Sequence, residues 1–351
     1  MQAEAPSKSA AHRYRVFDPL LSAEQAREMV RLCERYGSYG MYSEEGTADD
    51  LGSGLPQRYD AAINFVRSGG RFGRHEPIAV LAARTNYFRE TYAYRERVAL
   101  PGIEPFWHYD GFFDAAREIH GRPIVEPAIV YANVLLPGQE LAVHTDVPEF
   151  RGMSRMTDPQ WLLVAMHHSG LFERWRLPIV TAVAYFEQCA GGEFAFYPEG
   201  RDGPAHTLPV KHNTAVILDT DSVFHGVDRV AEGATPLPAL EPGMRLTFDG
   251  DGRWHVGRGD VALCGYRWGE IRFSVSWKAY CYADAAERRA AAEHTDDLTR
   301  ERALAMLKAD LSDRGRAPAD GADGRTLALA IIDEYVRFPA PETSACEQRS
   351  T

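Results

Sequence analysis

The hydrophobic and polar positions divide the chain into a helical beginning, a strand-rich middle and a helical end. Ser22 to Gln25 has the capping-box pattern, and apolar residues then recur every three or four positions, which predicts a helix from Ser22 to Tyr36. Two more helices are predicted at Ile78–Tyr94 and around Ala115–Ile119. The stretch from Gly37 to Gly54 is rich in Gly, Ser, Asp and Glu, which predicts a mobile loop.

From Pro127 onwards, short runs of β-branched and aromatic residues are separated by turn residues, which is typical of strands. The segment Asp249–Gly252 between two of these runs predicts a tight hairpin. Short strands in series, without helices between them, favour a sandwich or barrel over a parallel sheet. The predicted strands are Ile129–Leu136, Trp161–His167, Ile179–Phe186, Phe194–Tyr197, Thr214–Leu218, Val223–Val230, Arg245–Phe248, Trp254–Val256 and Ile271–Tyr282.

After Ala283 the pattern is helical again, in an Ala-rich stretch to Ala292 and then at Thr295–Leu311 and Arg325–Val336. Because no long linker precedes these helices, we expect them to pack on the β domain. The chain is therefore predicted to be mainly β with flanking helices. Its predicted parts are a disordered lead-in at 1–12, a β domain with N-terminal helices at 13–282, a C-terminal helical extension on the same domain at 283–338 and a loose tail at 339–351.

The charge and composition indicate a soluble enzyme of the cytoplasm. The 39 Lys and Arg residues against 50 Asp and Glu residues give a net charge of −11, which argues against nucleic-acid or anionic-membrane partners. No apolar run approaches the roughly 20 residues of a membrane span, and the N-terminus lacks the apolar core of a signal peptide. The five scattered cysteines are expected to be reduced. The oligomeric state stays open.

Two histidines and one aspartate are the candidate metal ligands. Residues two apart on a strand lie on the same face, so His144 and Asp146 can enter one cavity together. His225 lies in a second apolar strand, where an unpaired imidazole would be unusual. Two imidazoles and one carboxylate bind one face of a non-haem Fe(II) and leave the other open. The sequence therefore predicts that these three side chains converge.

Other histidines fit a metal site less well. His167 and His168 adjoin the end of a predicted strand, so a position at the rim of the site or a substrate contact is expected for them. His108 and Asp110 repeat the His-x-Asp spacing but have no strand pattern around them.

Several motifs resemble those of a known family. The segment Gly191–Pro198, the strand Asn213–Leu218 with the His225 segment, and the strand Ile271–Trp277 are similar to segments of the Fe(II)/2-oxoglutarate-dependent oxygenases. The resemblance covers roughly Ile129 to Tyr282, and the sequence pattern is most similar to that of the prolyl-hydroxylase-like branch. It implies a double-stranded β-helix, a jelly-roll or cupin-like barrel, that uses Fe(II), 2-oxoglutarate and O₂.

The resemblance also implies an anchor for 2-oxoglutarate. Arg272 would bind the distal carboxylate of the cosubstrate and Ser274 would assist, since a guanidinium makes paired, charge-assisted hydrogen bonds. Arg272 comes later after the distal histidine than is usual in the family, so 231–269 is interpreted as an insertion. Arg245, followed by Leu246 and Thr247, is a rival anchor. We prefer Arg272 because its strand continues into a long apolar run.

The resemblance implies an oxygenase that hydroxylates or otherwise oxidises an unactivated C–H bond while 2-oxoglutarate is converted to succinate and CO₂. The acidic balance disfavours nucleic acid as the substrate, and the sequence has no evident pattern of a peptide-binding groove, so we expect a small-molecule substrate in specialised metabolism. Desaturation, ring closure and epimerisation would use the same ligands. Alternatives are a cupin-like isomerase or sensor that does not use 2-oxoglutarate, an oxygenase of protein or peptide side chains, and a catalytically silent interaction module. Asn133 is predicted to be a further contact of the cosubstrate. Candidates for lining the substrate pocket are Tyr131, Thr181, Tyr185, Trp107, Glu149, Arg151 and His168. Candidates for orienting the imidazoles are Thr145, Asp219 and Asp228.

Overall fold

Antiparallel strands make up most of the middle of the chain. The computed structural model describes residues 13–42, 59–259, 261–319 and 321–342, without the side chains of Tyr59 and Ala82. The predicted lead-in at 1–12, most of the predicted loop and the end of the predicted tail lie outside these residues. The strands are β1 (Tyr14–Phe17), β2 (Ser38–Met41), β3 (Phe88–Tyr94), β4 (Arg97–Val98), β5 (Ile124–Leu135), β6 (Leu141–His144), β7 (Glu149–Phe150), β8 (Arg176–Leu177), β9 (Ile179–Tyr185), β10 (Phe194–Phe196), β11 (His206–Leu208), β12 (Thr214–Leu218), β13 (His225–Val227), β14 (Arg245–Phe248), β15 (Arg253–Arg258), β16 (Val261–Arg267) and β17 (Arg272–Tyr282).

Helices flank the strands on both sides along the chain. The first of them begins with the predicted capping box, in which Ser22 and Gln25 each bond the backbone N–H of the other. None of the described helices is long and apolar enough to cross a membrane. The helices are α1 (Ala23–Tyr36), α2 (Tyr59–Ser68), α3 (Ile78–Thr85), α4 (Glu104–Trp107), α5 (Asp110–His120), α6 (Gln160–Ser169), α7 (Ala285–Glu293), α8 (Arg300–Asp313) and α9 (Gly324–Tyr335).

Two antiparallel sheets carry the structure. The large sheet has the order β1-β12-β9-β17-β5-β3-β2-β14-β15-β16, and the smaller one has the order β11-β10-β13-β6. Strand β17 lies inside the large sheet, paired with β5 on one side and β9 on the other. One face of β17 contributes Phe273, Val275 and Trp277 to the main hydrophobic core. In the sequence Ile271–Tyr282 alternates, because the polar residues Arg272, Ser274, Ser276 and Lys278 occupy every second position and lie on the opposite face.

The C-terminal helices pack against the smaller sheet through α6. Leu307 of α8 and Ile331 of α9 share a hydrophobic cluster with Leu163 of α6. Val143 of β6 and Phe224, just before β13, belong to the same cluster. These helices therefore support the two strands that carry the predicted metal-binding histidines.

Three predicted elements are wrong in type. Trp161–His167 was predicted as a strand and is part of helix α6. The apolar residues of this helix are buried all round, so the sequence shows no helical periodicity there. The predicted helix over Ile78–Tyr94 ends at Thr85, and Phe88–Tyr94 pairs as a strand with β5. Ser38–Met41, predicted as part of a loop, is strand β2 between β14 and β3. The last two segments are strands because they pair with strands distant in the sequence, and a local sequence pattern does not predict such pairing.

The segment interpreted as an insertion extends the large sheet. Strands β14 and β15 form the predicted hairpin, in which the Asp249 side chain accepts hydrogen bonds from the N–H groups of Asp251 and Arg253. Strand β16 completes a three-stranded edge that joins the sheet through β2. This edge contributes Trp254, which is fully buried, to the main core.

Candidate active site

Strand pairing brings the two histidines together. Antiparallel β6 and β13 place His144 directly opposite His225, and the centroids of the two imidazole rings are 4.5 Å apart. Asp146 follows β6, and its backbone N–H donates to the Thr220 carbonyl at 2.8 Å. His225 Nε2 lies 3.8 Å from Asp146 Oδ1, and one ligand atom from each residue lies within 4.8 Å of the others. The three predicted ligands therefore meet at one point.

Both imidazoles have a defined tautomer. Nδ1 of His144 lies 2.6 Å from the Ala142 carbonyl, and Nδ1 of His225 lies 2.9 Å from the Val223 carbonyl. Because a carbonyl oxygen can only accept, each Nδ1 must carry the hydrogen. Each Nε2 then keeps its lone pair, which is the form of imidazole that binds a metal. The donor set therefore fits a divalent metal.

The carboxylate of Asp146 is held by a part-buried ion pair. Lys278 Nζ lies 2.6 Å from Asp146 Oδ2, and the Thr181 hydroxyl lies 3.4 Å from the same oxygen. Burial alone would raise the pKa of Asp146, but the ammonium group of Lys278 beside it is the main cause that lowers the pKa well below its ordinary value. Asp146 is therefore ionised and ready to bind a cation at neutral pH.

A cavity of about 650 Å³ extends from these ligands between the two sheets. Its walls include side chains of β5, β9 and β17 in the large sheet and of β6, β10 and β13 in the smaller one. Described residues that line it include Tyr94, Tyr131, Asn133, His144, Asp146, Glu149, Gln160, Thr181, Phe194, His225, Arg272, Ser274, Ser276, Lys278 and Tyr280. The volume lies within the range of small-molecule binding sites.

Arg272 provides a buried positive charge in this cavity. Its side chain is 2% exposed, and its Nε donates to the Gly192 carbonyl at 2.7 Å. Nη1 donates to Ser274 Oγ at 3.3 Å, and Nη2 donates to the Tyr185 hydroxyl. No carboxylate among the described residues lies within 4.0 Å of this guanidinium. A buried cation without an anionic partner is costly, so the cavity favours an anionic ligand.

The double glycine of the Gly191–Pro198 motif makes room for this arginine. Gly192 has a φ of +70°, and a Cβ there would lie 2.9 Å from Arg272 Cδ. A Cβ on Gly191, which has a φ of +69°, would lie 2.6 Å from the Arg229 carbonyl oxygen. Both positions therefore require glycine, for the left-handed backbone and for the close approach.

Asn133 and Ser274 are paired across β5 and β17. The Ser274 hydroxyl donates to the Asn133 carbonyl at 3.3 Å. The side-chain Oδ1 of Asn133 is buried and has no hydrogen-bond partner among the described residues. Buried polar atoms are normally hydrogen-bonded, so this amide is placed to contact a ligand in the cavity.

The rival arginine lies elsewhere. Arg245 is on the surface, where its guanidinium pairs with Glu90 at 2.8 Å and its side chain is 47% exposed. It also donates to the Ser38 hydroxyl at 2.7 Å. Its contacts are those of a surface ion pair.

Several predicted pocket residues lie away from the cavity. The Trp107 carbonyl accepts from Trp277 Nε1 at 3.0 Å in the core, and Arg151 pairs with Asp296 at 2.6 Å. His168, on α6, stacks on Phe224 with ring centroids 5.2 Å apart. Tyr131, Glu149 and Thr181 do line the cavity, and Tyr185 reaches it through Arg272.

The residues predicted to orient the imidazoles have other partners. Asp219 pairs with Arg176 at 3.3 Å, and Asp228 pairs with Arg71. The Thr145 hydroxyl lies 3.4 Å from His168 Nε2. Backbone carbonyls, which sequence patterns do not reveal, orient the two imidazoles instead.

Sequence reasoning missed Lys278, Tyr280 and Gln160 as residues of the cavity. A signal for the first two was available, because they continue the alternation of Arg272 and Ser274 along one predicted strand. Gln160 carried no such signal, since its segment was predicted to be a strand and is a helix. Its buried Nε2 has no hydrogen-bond partner among the described residues.

No family model and no curated protein matches the chain. Solved structures of non-haem iron, 2-oxoglutarate-dependent enzymes do align with it, at low identity. SnoN, a non-haem α-ketoglutarate-dependent epimerase from nogalamycin biosynthesis, is 12% identical with a TM-score of 0.39, over 96% of this chain and 94% of that one. A prolyl-4-hydroxylase of Pseudomonas putida is 12% identical with a TM-score of 0.37, over 78% and 94%. HygX of Streptomyces hygroscopicus, solved with nickel, 2-oxoglutarate and hygromycin B bound, is 11% identical with a TM-score of 0.37, over 77% and 84%.

Proposed function

We propose that this protein is an Fe(II)- and 2-oxoglutarate-dependent oxygenase that oxidises an unactivated C–H bond of a small molecule. One observation carries the proposal. A single cavity holds a His-Asp-His ligand set and a buried guanidinium without a carboxylate partner among the described residues. The ligand set suits a divalent metal, and the guanidinium suits an anion. Oxidation with Fe(II) and 2-oxoglutarate needs both sites in one cavity.

His144, Asp146 and His225 are the residues that would hold Fe(II). Their Nε2 atoms and the Asp146 carboxylate supply two neutral nitrogen ligands and one anionic oxygen ligand. Bound Fe(II) supplies the redox chemistry that couples reduction of O₂ and decarboxylation of 2-oxoglutarate to oxidation of the substrate. The protein contributes the fixed donor geometry and the cavity around it.

Arg272 would bind the distal carboxylate of 2-oxoglutarate. Three hydrogen bonds from its guanidinium, to Gly192, Ser274 and Tyr185, fix its position before any ligand enters. A preorganised guanidinium loses little side-chain entropy when it binds a carboxylate. Asn133 and Ser274 line the same cavity and would complete this subsite.

The remaining part of the cavity would receive the substrate. Tyr280 donates to Glu149 Oε2 at 2.7 Å on this wall, and Tyr94 and Tyr131 add aromatic surface. A cavity of about 650 Å³ has room for a small molecule in addition to 2-oxoglutarate. The position of the substrate against the metal would decide between hydroxylation and the related desaturation, ring-closure or epimerisation outcomes.

A double-stranded β-helix accounts for the arrangement of the two sheets. The ligands lie on the β6–β13 pair of the smaller sheet, and Arg272 lies on β17 in the middle of the large sheet. The two sheets contribute opposite walls of the same cavity. In this fold, closure of antiparallel strands around an interior site leaves such a cavity for a ligand.

Conversion of 2-oxoglutarate to succinate tests the proposal. The protein is loaded with Fe(II) without oxygen, exposed to air with a panel of small molecules, and assayed for succinate. We expect succinate from the wild-type protein and none from His225→Ala. His168→Ala is the matched control, because this histidine lies on α6 and stacks on Phe224; it should keep the activity.

Binding measurements separate this function from a metal protein that does not use 2-oxoglutarate. With Mn(II) in place of Fe(II), calorimetry should show one molecule of 2-oxoglutarate bound per chain. Metal binding without any binding of 2-oxoglutarate, together with no succinate from the whole panel, would disprove the proposal and favour the isomerase or sensor.

A further inference from the structure

Lys278 is a part-buried cation that lines the cavity, and it pairs with Asp146. Its Nζ lies 2.6 Å from Asp146 Oδ2, and its side chain is 16% exposed. Neither the His-x-Asp pattern nor the arginine anchor requires a lysine here. A buried lysine is costly unless it is paired and hydrogen-bonded, so its place against one oxygen of Asp146 calls for an explanation.

The backbone fixes where Lys278 can reach. The strand β17 is hydrogen-bonded on both sides at this point, with Lys278 opposite Ile129 of β5 and Thr181 of β9. Its side chain lies on the same face as those of Arg272 and Ser276, which also line the cavity. The ammonium group is therefore carried by a strand that is paired on both sides at this point.

The two oxygens of Asp146 have different surroundings. Oδ2 accepts from Lys278 at 2.6 Å and lies 3.4 Å from the Thr181 hydroxyl. Thr181 is itself held by Thr220, whose hydroxyl oxygen lies at 2.6 Å. Oδ1 instead faces the metal-binding atom of His225, at 3.8 Å from Nε2. One oxygen is occupied by protein donors and the other is turned towards the imidazoles.

We propose that Lys278 is a positioning residue that limits Asp146 to one metal-binding oxygen. By holding Oδ2, it leaves Oδ1 as the only carboxylate atom available to the metal. The inference rests on the proposed metal site and adds a requirement of its own, which is that the carboxylate binds through one atom because of Lys278.

The number of free coordination positions depends on this arrangement. An octahedral metal bound by two imidazoles and one carboxylate oxygen keeps about three positions for other ligands. A carboxylate that binds through both oxygens leaves about two. Two positions for a chelating keto acid and one for O₂ require the first arrangement, so Lys278 protects the position at which O₂ would bind.

Counting metal-bound water tests the inference without any turnover. Mn(II) is loaded at one equivalent, without 2-oxoglutarate, and the broadening of its electron paramagnetic resonance lines by ¹⁷O-labelled water gives the number of bound waters. We expect about three waters in the wild-type protein and about two in Lys278→Met, in which Oδ2 is free to bind. Lys278→Arg, which keeps a charged donor, should restore the count to about three.

Ser276→Ala is the matched control, since Ser276 lies on the same face of β17 and lines the same cavity; its count should equal that of the wild type. Circular dichroism checks that each variant is folded. If Lys278→Met does not fold, Lys278→Leu takes its place, because its side chain also has no hydrogen-bond donor and the same lower count is expected.

Each result has a definite meaning. A lower count in the neutral Lys278 variant, with the wild-type count in Lys278→Arg and Ser276→Ala, supports the inference. An unchanged count in the folded neutral variant overturns it and leaves the proposed metal site intact. Failure of the wild-type protein to bind one Mn(II) overturns both.

Discussion

The choice between Arg272 and Arg245 gives the sharpest quantitative prediction. The proposed role of Arg272 is to make paired hydrogen bonds with the distal carboxylate of 2-oxoglutarate. Hydrogen bonds to charged groups contribute about 1.5–3 kcal/mol each, so two of them give about 3–6 kcal/mol. We therefore expect Arg272→Met to raise the Kd for 2-oxoglutarate by about 10²- to 10⁴-fold.

Two further variants refine this expectation. Arg272→Lys keeps the charge but loses the planar fork, so it should lose about one of the two bonds and weaken binding by about 10- to 100-fold. Arg245→Met removes a surface ion pair with Glu90, worth about 0–1 kcal/mol of stability. It should change the Kd for 2-oxoglutarate by less than about twofold.

The assay is calorimetric titration of 2-oxoglutarate into each Mn(II)-loaded variant. Because Arg272→Met leaves the Gly192 carbonyl and the Tyr185 hydroxyl without their donor, its fold is checked by thermal melting before the titration. Equal small effects of Arg272→Met and Arg245→Met, or a larger effect of Arg245→Met, would refute the assignment of the anchor.

Two other predictions address the backbone and the buried acid near the site. Gly192→Ala should weaken 2-oxoglutarate binding measurably, because the added Cβ would lie 2.9 Å from Arg272 Cδ. Gly170→Ala is the control, since Gly170 has a similar φ of +71° and no atom within 4 Å of an added Cβ. It should show only the backbone strain of about 1–2 kcal/mol in a melting experiment and leave the Kd for 2-oxoglutarate unchanged. Asp221 is fully buried, and burial and the neighbouring Asp219 raise its pKa. Because the pKa of Asp221 is raised in the folded protein, the stability of the wild type falls as the pH increases and the unfolded chain loses this proton first. Asp221→Asn has no such proton, so its stability relative to the wild type should increase between about pH 5 and pH 8 in urea unfolding. A stability difference between the two proteins that is constant with pH would contradict this.

Sequence patterns predicted those parts of the site that depend on local alternation. His144 and Asp146 lie two residues apart and enter the cavity together. Arg272 was preferred because its strand leads into a long apolar run, and that run is buried on both faces of the sheet. The period of two holds along β17, where Arg272 and Ser274 both line the cavity, whereas Asp146 lies just beyond the end of β6 at His144.

Long-range pairing could not be predicted in the same way. Nothing local shows that His144 pairs with His225, or that Lys278 reaches Asp146, because both contacts depend on which strands become neighbours. The helix α6 was missed for a related reason. Its residues Trp161 to Met166 are all buried, so neither helical nor strand periodicity is present.

The strand β17 explains why the two ends of the cavity keep a fixed separation. It carries Arg272 near one end and Lys278 six residues later, which corresponds to about 20 Å along an extended strand. A slip of one residue would turn both side chains away from the cavity and replace them with Phe273 and Ala279, which lie in the core. The buried face and the pairing with β5 and β9 oppose such a slip over most of the length of the strand. The proposed cosubstrate anchor and the residue that holds the metal-binding carboxylate are thus set at a constant spacing by the packing of the opposite face of the same strand.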